Sequence, residues 1–197
     1  MPEIAALLLA AGRGTRFGRS PKLLADLEGR PLVRHAAEAA FSSRLRPIVA
    51  VLGAHEDEVG AALRGLDLIT VRNPVYAEGM STSLRAGIAA LPAACSAVVV
   101  ILGDMPRVTA ARIDGLADAF LAAGREVSAV VPVQEGRRGN PVLLNLAILG
   151  PDIAALRGDR GAGPLLAGRT DVLELPGDPG TALDIDTPEV LEALRVR

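Results

Sequence analysis

The feature that most constrains the fold is a series of short apolar runs, separated by longer segments of helical pattern. The runs lie at residues 4–9, 48–52, 68–71, 98–102 and 127–133. Runs that are apolar at nearly every position are typical of parallel strands buried on both faces. Such strands alternating with helices predict an α/β fold: a three-layer α/β/α sandwich with a mostly parallel central sheet, of the Rossmann-like type.

Helical segments fill the intervals between the apolar runs. They are predicted at residues 31–41, 81–90, 109–122, 148–156, 164–167 and 188–195, with a further strand at 141–144. Ser81 and Thr109 open two of these helices, where a hydroxyl can cap free amides of the first turn. The chain has 197 residues and no internal repeat or linker, so we expect a single domain over residues 1–197.

The composition argues against several classes of protein. A net charge of −2 and an aromatic content of 2% are unlike a nucleic-acid-binding module, which needs a basic face and stacking platforms. No run approaches the roughly 18 to 20 apolar residues that span a bilayer, and the N-terminus lacks the basic leader of a signal peptide. The single cysteine, Cys95, is expected to be a buried structural thiol. We expect a cytoplasmic protein without nucleic-acid or membrane partners.

Ligands of such sheets bind at the carboxyl ends of the strands. The corresponding loops follow Leu9, Leu102, Val133 and Ile185. The first, Leu-Ala-Ala-Gly-Arg-Gly-Thr-Arg-Phe-Gly, is rich in glycine and arginine, as expected where backbone amides approach an anion. Its glycines lack the Gly-x-Gly-x-x-Gly spacing of dinucleotide folds, and Lys22 follows a proline, unlike the lysine of a P-loop.

This loop, followed by Lys22, resembles the signature of the nucleotidyltransferases that include the molybdenum-cofactor enzymes, the MobA-like NTP transferases. The resemblance implies that the loop wraps a triphosphate and that Arg13 and Lys22 act on its phosphates. The implied nucleotide-binding residues are Leu9, Ala10, Ala11, Gly12, Arg13, Gly14 and Lys22. Arginine offers a bidentate fork and lysine a compact point charge, which suits the role. For Arg16 and Arg19, contact with a phosphate and simple exposure to solvent are equally good interpretations.

Gly103-Asp104-Met105-Pro106 follows the most apolar strand, which places the Asp104 carboxylate at the edge of the sheet. An unpaired charge is costly there, and Mg²⁺ would supply a partner. Taken alone, the residue is better explained as a turn or capping aspartate. Its resemblance to the metal-binding motif of the family favours a metal ligand with a catalytic role, bound to Mg²⁺ or alternatively Mn²⁺.

Asp184-Ile185-Asp186-Thr187-Pro188-Glu189 resembles the closing motif of the family, which ends a strand and supplies a second metal ligand. Strand alternation puts Asp184 and Asp186 on one face. Asp186 is the predicted ligand, with Asp184 as its supporting partner or substitute. A cap on the last helix is an alternative role for Asp186, and it is compatible with metal binding.

The segment from Asn73 to Gly87 resembles the Asn-Pro, Gly-Met and Ser-Leu-x-x-Gly pattern of the family. In relatives the stretch around the serine helps to bind the nucleoside. Ser83 is accordingly a candidate nucleotide-binding residue. An equally good interpretation is that Ser81 and Ser83 only cap the helix that begins there.

Gly139-Asn140-Pro141 occupies the place where cytidylyltransferases of the family have Gly-His-Pro facing the acceptor. With Asp184, these residues are the predicted acceptor-binding set. Asparagine cannot become cationic as histidine can. Gly163 and Val190 also depart from the family pattern, where an arginine and an acidic residue are usual. The donor half of the site therefore matches the family, and the identity of the acceptor stays open.

Neither histidine, His35 or His55, lies in a motif, so the chain offers no obvious nucleophile and base. A phosphate acceptor needs neither, because its oxygen is already ionised near neutral pH. The resemblance implies transfer of CMP from CTP to molybdopterin, with a metal held by Asp104 and Asp186. The alternatives are GTP or a sugar phosphate as substrate, an NAD(P)H-dependent oxidoreductase acting on a nicotine-derived pigment, and a non-catalytic carrier that delivers cofactor to a molybdoenzyme.

Overall fold

The computed structural model describes residues 3–18, 20–124, 126–159 and 161–195. Its strands are β1 (Glu3–Ala10), β2 (Asp26–Leu27), β3 (Arg30–Pro31), β4 (Ile48–Leu52), β5 (Ile69–Arg72), β6 (Cys95–Leu102), β7 (Ala129–Gln134), β8 (Arg137–Arg138), β9 (Val142–Asn145) and β10 (Val172–Pro176). An eight-stranded sheet runs in the order β10-β7-β9-β6-β1-β4-β5, with β8 pairing to β7, while β2 and β3 form a separate hairpin. β9 is antiparallel to its neighbours β6 and β7, and the pairs β6–β1, β1–β4, β4–β5 and β7–β10 are parallel.

Helices cover both faces of the sheet. They are α1 (Leu32–Ser42), α2 (Glu56–Ala62), α3 (Met80–Ala89), α4 (Ala110–Ala123), α5 (Leu146–Ala155), α6 (Gly163–Leu166) and α7 (Pro188–Arg195). α1, α2 and α4 pack on one face with Ala6 and Leu8 of β1, while α3, α5 and α6 pack on the other with Ala5 and Leu7. The predicted three-layer α/β/α fold is confirmed. None of the helices in the described ranges is long and apolar enough to cross a membrane.

Most predicted elements form within a few residues of their expected bounds. The predicted helix at 188–195 and strand at 48–52 coincide with α7 and β4. The Thr109 hydroxyl caps α4 by accepting from the Arg112 amide at 3.2 Å, as predicted. Cys95 is buried, and this burial raises the pKa of its thiol. The sequence patterns missed α2 and β10, both of which are short and only partly apolar.

The start of α3 differs from the prediction, because neither Ser81 nor Ser83 caps it. The helix begins at Met80 after Gly79, and no side chain caps it. Gly79 has φ +114° and lies so close to the backbone of Gly158 that a Cβ would stand 2.2 Å from its carbonyl carbon. The Ser81 amide donates to the Gly158 carbonyl at 3.1 Å, so a distant loop replaces the expected side-chain cap.

A third, smaller apolar cluster joins the first loop to the closing motif. It contains Phe17, Leu27, Leu32, Ile185 and Leu191, the last of these from α7. The closing motif was expected to end a strand, and this was wrong. Residues 183–186 pair with no strand, and the Ile185 amide donates instead to the Asp104 carbonyl at 3.0 Å. Ile185 is fully buried, so the predicted alternation persists without a sheet.

Replacing Gly79 with alanine is expected to lower the free energy of unfolding by more than the same change at Gly124. Both glycines have a strongly positive φ, a conformation that costs a side-chain-bearing residue about 1–3 kcal/mol. Only Gly79 also faces the backbone of Gly158, whereas nothing lies within 4 Å of a Cβ added at Gly124. Urea denaturation of both variants measures the difference, and equal losses would contradict the proposed contact between Gly79 and Gly158.

Candidate nucleotide and metal site

Three segments distant in sequence meet at the carboxyl ends of β1 and β6. The first loop follows the end of β1, where the Leu9 carbonyl accepts from the Gly103 amide at 3.0 Å. Asp104 follows directly, and its own carbonyl accepts from the Ile185 amide at 3.0 Å. These backbone bonds bring the glycine-rich loop and both aspartate motifs to one place at the carboxyl edge of the sheet, where the ligand loops are expected from the sequence.

A cluster of opposite charges lies at this junction. Lys22 Nζ donates to Asp104 Oδ2 at 2.6 Å and to Asp186 Oδ1 at 3.0 Å, and Arg16 pairs with Asp186 Oδ2 at 2.8 Å. The side chains of Lys22 and Asp104 are only 12% and 17% exposed, whereas Arg16 is 76% exposed. Burial lowers the pKa of Lys22, but its hydrogen bonds and attraction to the two carboxylates outweigh this, so the pKa is raised overall. Lys22 is therefore a permanent cation.

The first loop fits closely around Lys22. Gly14 has φ +60°, and a Cβ at this position would stand 2.6 Å from the Cβ of Lys22. Pro21 is extended and immediately precedes a short 3₁₀ turn, Lys22–Leu24. Glycine at position 14 and proline at position 21 thus allow the Lys22 side chain to pack closely against the loop.

Asp104 has an unsatisfied oxygen. Oδ2 accepts from Lys22, while Oδ1 is buried and has no hydrogen-bond partner in the described chain. A buried carboxylate oxygen without a donor is costly. A divalent cation would satisfy it, and Mg²⁺ commonly takes one or two carboxylates together with substrate phosphates and water. No group of three or more His, Cys, Asp or Glu side chains in the described ranges could hold a metal by itself. Asp104 and Asp186 therefore fit an ion shared with a substrate.

Asp184 and Asp186 both line the cavity at this junction, on either side of the buried Ile185. Asp184 is the more exposed of the two. Its pKa is raised by partial desolvation and by the negative charges of Asp186 and Asp104. It makes no ion pair within the described chain, whereas Asp186 contacts two cations.

The cavity itself has a volume of about 470 Å³. Its lining includes most of the predicted nucleotide and metal residues: Leu9, Ala11, Gly12, Arg13, Gly14, Lys22, Ser83, Asp104, Asp184 and Asp186. Ala10 is the exception, because its side chain is fully buried in the core on the face of α1 and α4. Tyr76, Met80 and Asp159 also line the cavity, although no sequence motif predicts a role for them there. Arg19 lies outside the described residues.

Arg13 lies over the ring of Tyr76, the only tyrosine of the chain, at 5.4 Å from its centroid. Among the described residues it pairs with no carboxylate, so its guanidinium is available to an anion. Gly53, at the end of β4, allows this arrangement, because a Cβ there would stand 2.8 Å from the Cβ atoms of Ala11 and Tyr76. The Ala54 amide donates to the Ala11 carbonyl at 3.0 Å and fixes the loop.

A buried amide organises the other wall of the cavity. Asn73 Nδ2 donates to Thr82 Oγ1 at 2.8 Å and to Ser83 Oγ at 2.9 Å. Asn73 Oδ1 accepts from the Val75 amide at 3.1 Å. Ser83, although only 5% exposed, lines the cavity on the first turns of α3.

A second cavity of about 430 Å³ adjoins the first and shares Leu9, Met80 and Leu102 with it. Its walls are mainly aliphatic, with Arg138 and Asn140 as polar residues. Of the predicted acceptor set, Gly139 and Asn140 line this cavity, Asp184 lines the first, and Pro141 is buried and lines neither. The Asn140 amide donates to the Thr181 carbonyl at 3.1 Å, which ties this segment to the chain just before the closing motif.

Several known proteins resemble this chain in sequence or in fold. Nicotine blue oxidoreductase from Paenarthrobacter nicotinovorans is 31% identical over 98% of this chain and 97% of its own. The bifunctional protein GlmU from Kineococcus radiotolerans is 37% identical over 63% of this chain, but the match covers only 26% of GlmU. The crystal structure of Rv0371c from Mycobacterium tuberculosis H37Rv has a TM-score of 0.85 and 26% identity, covering 99% of this chain and 98% of that one. Its complex with manganese has a TM-score of 0.80 and 27% identity, covering 98% of each chain.

The model of one family extends over most of the chain. It is described as the MobA-like NTP transferase domain, and it matches residues 6–173, from β1 into β10. The matched segment contains the first loop, Asp104 and the acceptor-side segment around Asn140. The resemblance inferred from the first loop is confirmed, and the chain belongs to the MobA-like NTP transferase domain family of nucleotidyltransferases.

Proposed function

We propose that this protein transfers CMP from CTP to a phosphorylated acceptor, in first place molybdopterin, and releases pyrophosphate. The observation that supports it most is the charge cluster, in which Lys22 contacts both Asp104 and Asp186 beside the first loop. A buried cation between two carboxylates, next to a free guanidinium, provides both signs of charge that a triphosphate and its metal require. A cytoplasmic location is part of the proposal.

In the proposed reaction the first loop binds the nucleoside triphosphate. Arg13 presents an unpaired guanidinium, which can bind two phosphate oxygens at once. Gly12 and Gly14 leave the backbone open to close approach, and Lys22 provides a fixed positive charge beneath it. These groups would stabilise the charge that develops on the departing pyrophosphate.

Asp104 and Asp186 are the proposed ligands of Mg²⁺, or of Mn²⁺ as the alternative. A divalent ion bound there would neutralise phosphate charge and align the reacting oxygens. The unpaired Oδ1 of Asp104 supports this assignment. The similarity to a protein whose structure includes manganese supports it independently.

No protein nucleophile or base is required on the acceptor side. The His35 ring nitrogen Nε2 donates to the Leu27 carbonyl at 2.9 Å, away from the cavity. Cys95 is buried, and its raised pKa keeps it a thiol. A phosphate acceptor brings its own ionised oxygen, so the chain needs only to bind and orient two anions. The acceptor would lie towards Asn140 and the second cavity.

A second candidate is reduction of a pigment by a nicotinamide cofactor. It is favoured by the similarity to nicotine blue oxidoreductase, which extends over nearly all of both chains. Against it stands the spacing of the glycines in the first loop, which is not that of dinucleotide folds. A titration with NADH, followed by cofactor fluorescence, separates the two: saturable binding of NADH in preference to CTP would favour the oxidoreductase.

The proposal predicts that CTP with Mg²⁺ raises the melting temperature more than ATP, GTP or UTP, and that pyrophosphate is released when molybdopterin is added. A ligand that binds only the folded state stabilises it by mass action. Preference for GTP would make the protein a guanylyltransferase. Release of pyrophosphate with a sugar 1-phosphate and not with molybdopterin would identify a sugar-phosphate enzyme. Tight molybdopterin binding without nucleotide turnover would favour the non-catalytic carrier, whose partner would be a molybdoenzyme.

Asp104→Asn is expected to lower kcat by at least about a hundredfold and to weaken Mn²⁺ binding by about 10- to 100-fold, since a neutral amide is a poor ligand for a hard cation. Asp118→Asn is the matched control, because Asp118 forms an exposed pair with Arg44 far from the cavity. Calorimetry measures metal affinity, and circular dichroism verifies the fold. A wild-type rate for Asp104→Asn at saturating Mg²⁺ would refute the assignment.

Lys22→Gln is expected to affect metal and nucleotide in opposite directions. Without nucleotide, Mn²⁺ should bind about three- to tenfold more tightly, because the ammonium no longer occupies Asp104 Oδ2 and Asp186 Oδ1. Turnover should fall, because the charge that faces the phosphates is lost. Calorimetry with Mn²⁺ alone and a pyrophosphate-release assay measure the two effects. Weaker binding of Mn²⁺ alone would show that Lys22 organises the carboxylates instead of competing for them.

A further inference from the structure

We propose that Asn73 is a positioning residue that forces the Ser83 hydroxyl to donate its proton into the nucleotide cavity. The site then selects a nucleoside that presents a hydrogen-bond acceptor, a carbonyl oxygen or a ring nitrogen lone pair, at this point. The inference rests on the proposed nucleotide binding and deepens it, because it assigns a chemical polarity to one wall of the cavity.

The orientation of the Asn73 amide is determined by its surroundings. Asn73 is 1% exposed and follows β5, where its backbone amide donates to the Leu52 carbonyl at 2.8 Å. The Val75 amide, which can only donate, lies 3.1 Å from Oδ1. Rotating the amide by half a turn would set its NH₂ group against this N–H and leave two donors facing each other. The oxygen therefore faces Val75, and the NH₂ group faces Thr82 and Ser83.

The two protons of that NH₂ group fix the roles of both hydroxyls. One goes to Thr82 Oγ1 at 2.8 Å and one to Ser83 Oγ at 2.9 Å, so each oxygen acts as an acceptor. The Thr82 hydroxyl donates its own proton to the Gly79 carbonyl at 2.8 Å. Among the described residues, no protein atom accepts the proton of Ser83. Because Ser83 lines the cavity, the acceptor for this proton must come from water or ligand.

The consequence concerns recognition of the nucleoside. The buried Ser83 hydroxyl accepts a hydrogen bond from an amide but has no acceptor for its own proton. This unsatisfied donor costs free energy until a ligand or water provides an acceptor. A nucleoside that brings a carbonyl, such as the 2-carbonyl of a pyrimidine, completes the network. One that brings an amino group meets the Ser83 proton with another donor. Removal of the hydroxyl should therefore weaken binding, and reversal of its polarity should weaken it further.

The test compares four variants by calorimetric titration with CTP and Mg²⁺ in the absence of acceptor. Ser83→Ala should bind CTP about three- to tenfold more weakly than the wild type, the usual effect of losing one neutral hydrogen bond. Asn73→Asp should bind CTP more weakly still. The carboxylate accepts a hydrogen bond from the Ser83 hydroxyl, so that only a lone pair of Ser83 Oγ faces the ligand. The double variant Asn73→Asp/Ser83→Ala should bind CTP as Ser83→Ala does, because without the Ser83 hydroxyl the side chain at position 73 has no group to orient. Thr82→Val should bind within twofold of the wild type, since it removes the other contact of the same amide and the bond to the Gly79 carbonyl but leaves the contact between Asn73 and Ser83 in place.

Thermal melts verify that each variant folds, and Asn73→Ala replaces Asn73→Asp if the buried carboxylate prevents folding. With Asn73→Ala, the Ser83 hydroxyl can rotate, so the loss should be smaller than that of Ser83→Ala and should again disappear in the double variant. In steady-state kinetics the same changes should raise KM for CTP and leave kcat within about twofold.

Additive effects of Asn73 and Ser83, or CTP binding by Ser83→Ala at the wild-type level, would overturn the inference while leaving the proposed nucleotide binding intact. A wild-type protein that binds none of the four NTPs would overturn both.

Discussion

The structure depends above all on the burial of β1 from both sides. Ala5, Ala6, Leu7, Leu8 and Ala10 are fully buried, and the strand pairs in parallel with β4 and β6. Helices cover both faces of this strand and other strands flank it on both sides. The chain therefore reaches the surface only where the strand ends. The loop that emerges there has limited freedom, because its backbone bonds to Gly103 and Ala54 attach it to the ends of both neighbouring strands. A rigid core thus presents a defined loop to the ligand.

The charge cluster follows from this placement. Asp104 and Asp186 come from motifs that are far apart in the sequence, and the sheet edge would leave two carboxylates close together in a region of low exposure. Lys22 offsets this repulsion in the absence of metal, and Gly14 lets the lysine approach closely enough to do so. Lys22, which stabilises the ligand-free fold, therefore lies next to the position where phosphate charge is expected. Stability and proposed catalysis share these residues, so variants here need both measurements.

The sequence predicted those parts of the fold and site that depend on local pattern or on motifs. β1, β4 and α7 follow directly from apolar periodicity and a helix-starting proline, and the convergence of Asp104 with the first loop follows from strand topology. The failures involve contacts between distant segments. Gly158 replaces a side-chain cap at the start of α3, and the closing motif bonds to Asp104 without joining the sheet. Tyr76 and Asp159 reach the cavity from loops whose paths have no local signal.

One antiparallel strand has consequences beyond the sheet itself. β9 runs against β6 and β7, so the chain enters β9 at the same edge where its neighbours end. The turn after β7, the short strand β8 and residues 139–141 therefore form one continuous stretch that borders the second cavity, without a crossover helix between them. Substitutions or insertions confined to this stretch can change what enters the second cavity and leave the first loop untouched. In evolutionary terms the walls of the second cavity can therefore change independently of the first loop, and under the proposed function such changes would alter the acceptor while the nucleotide site is kept.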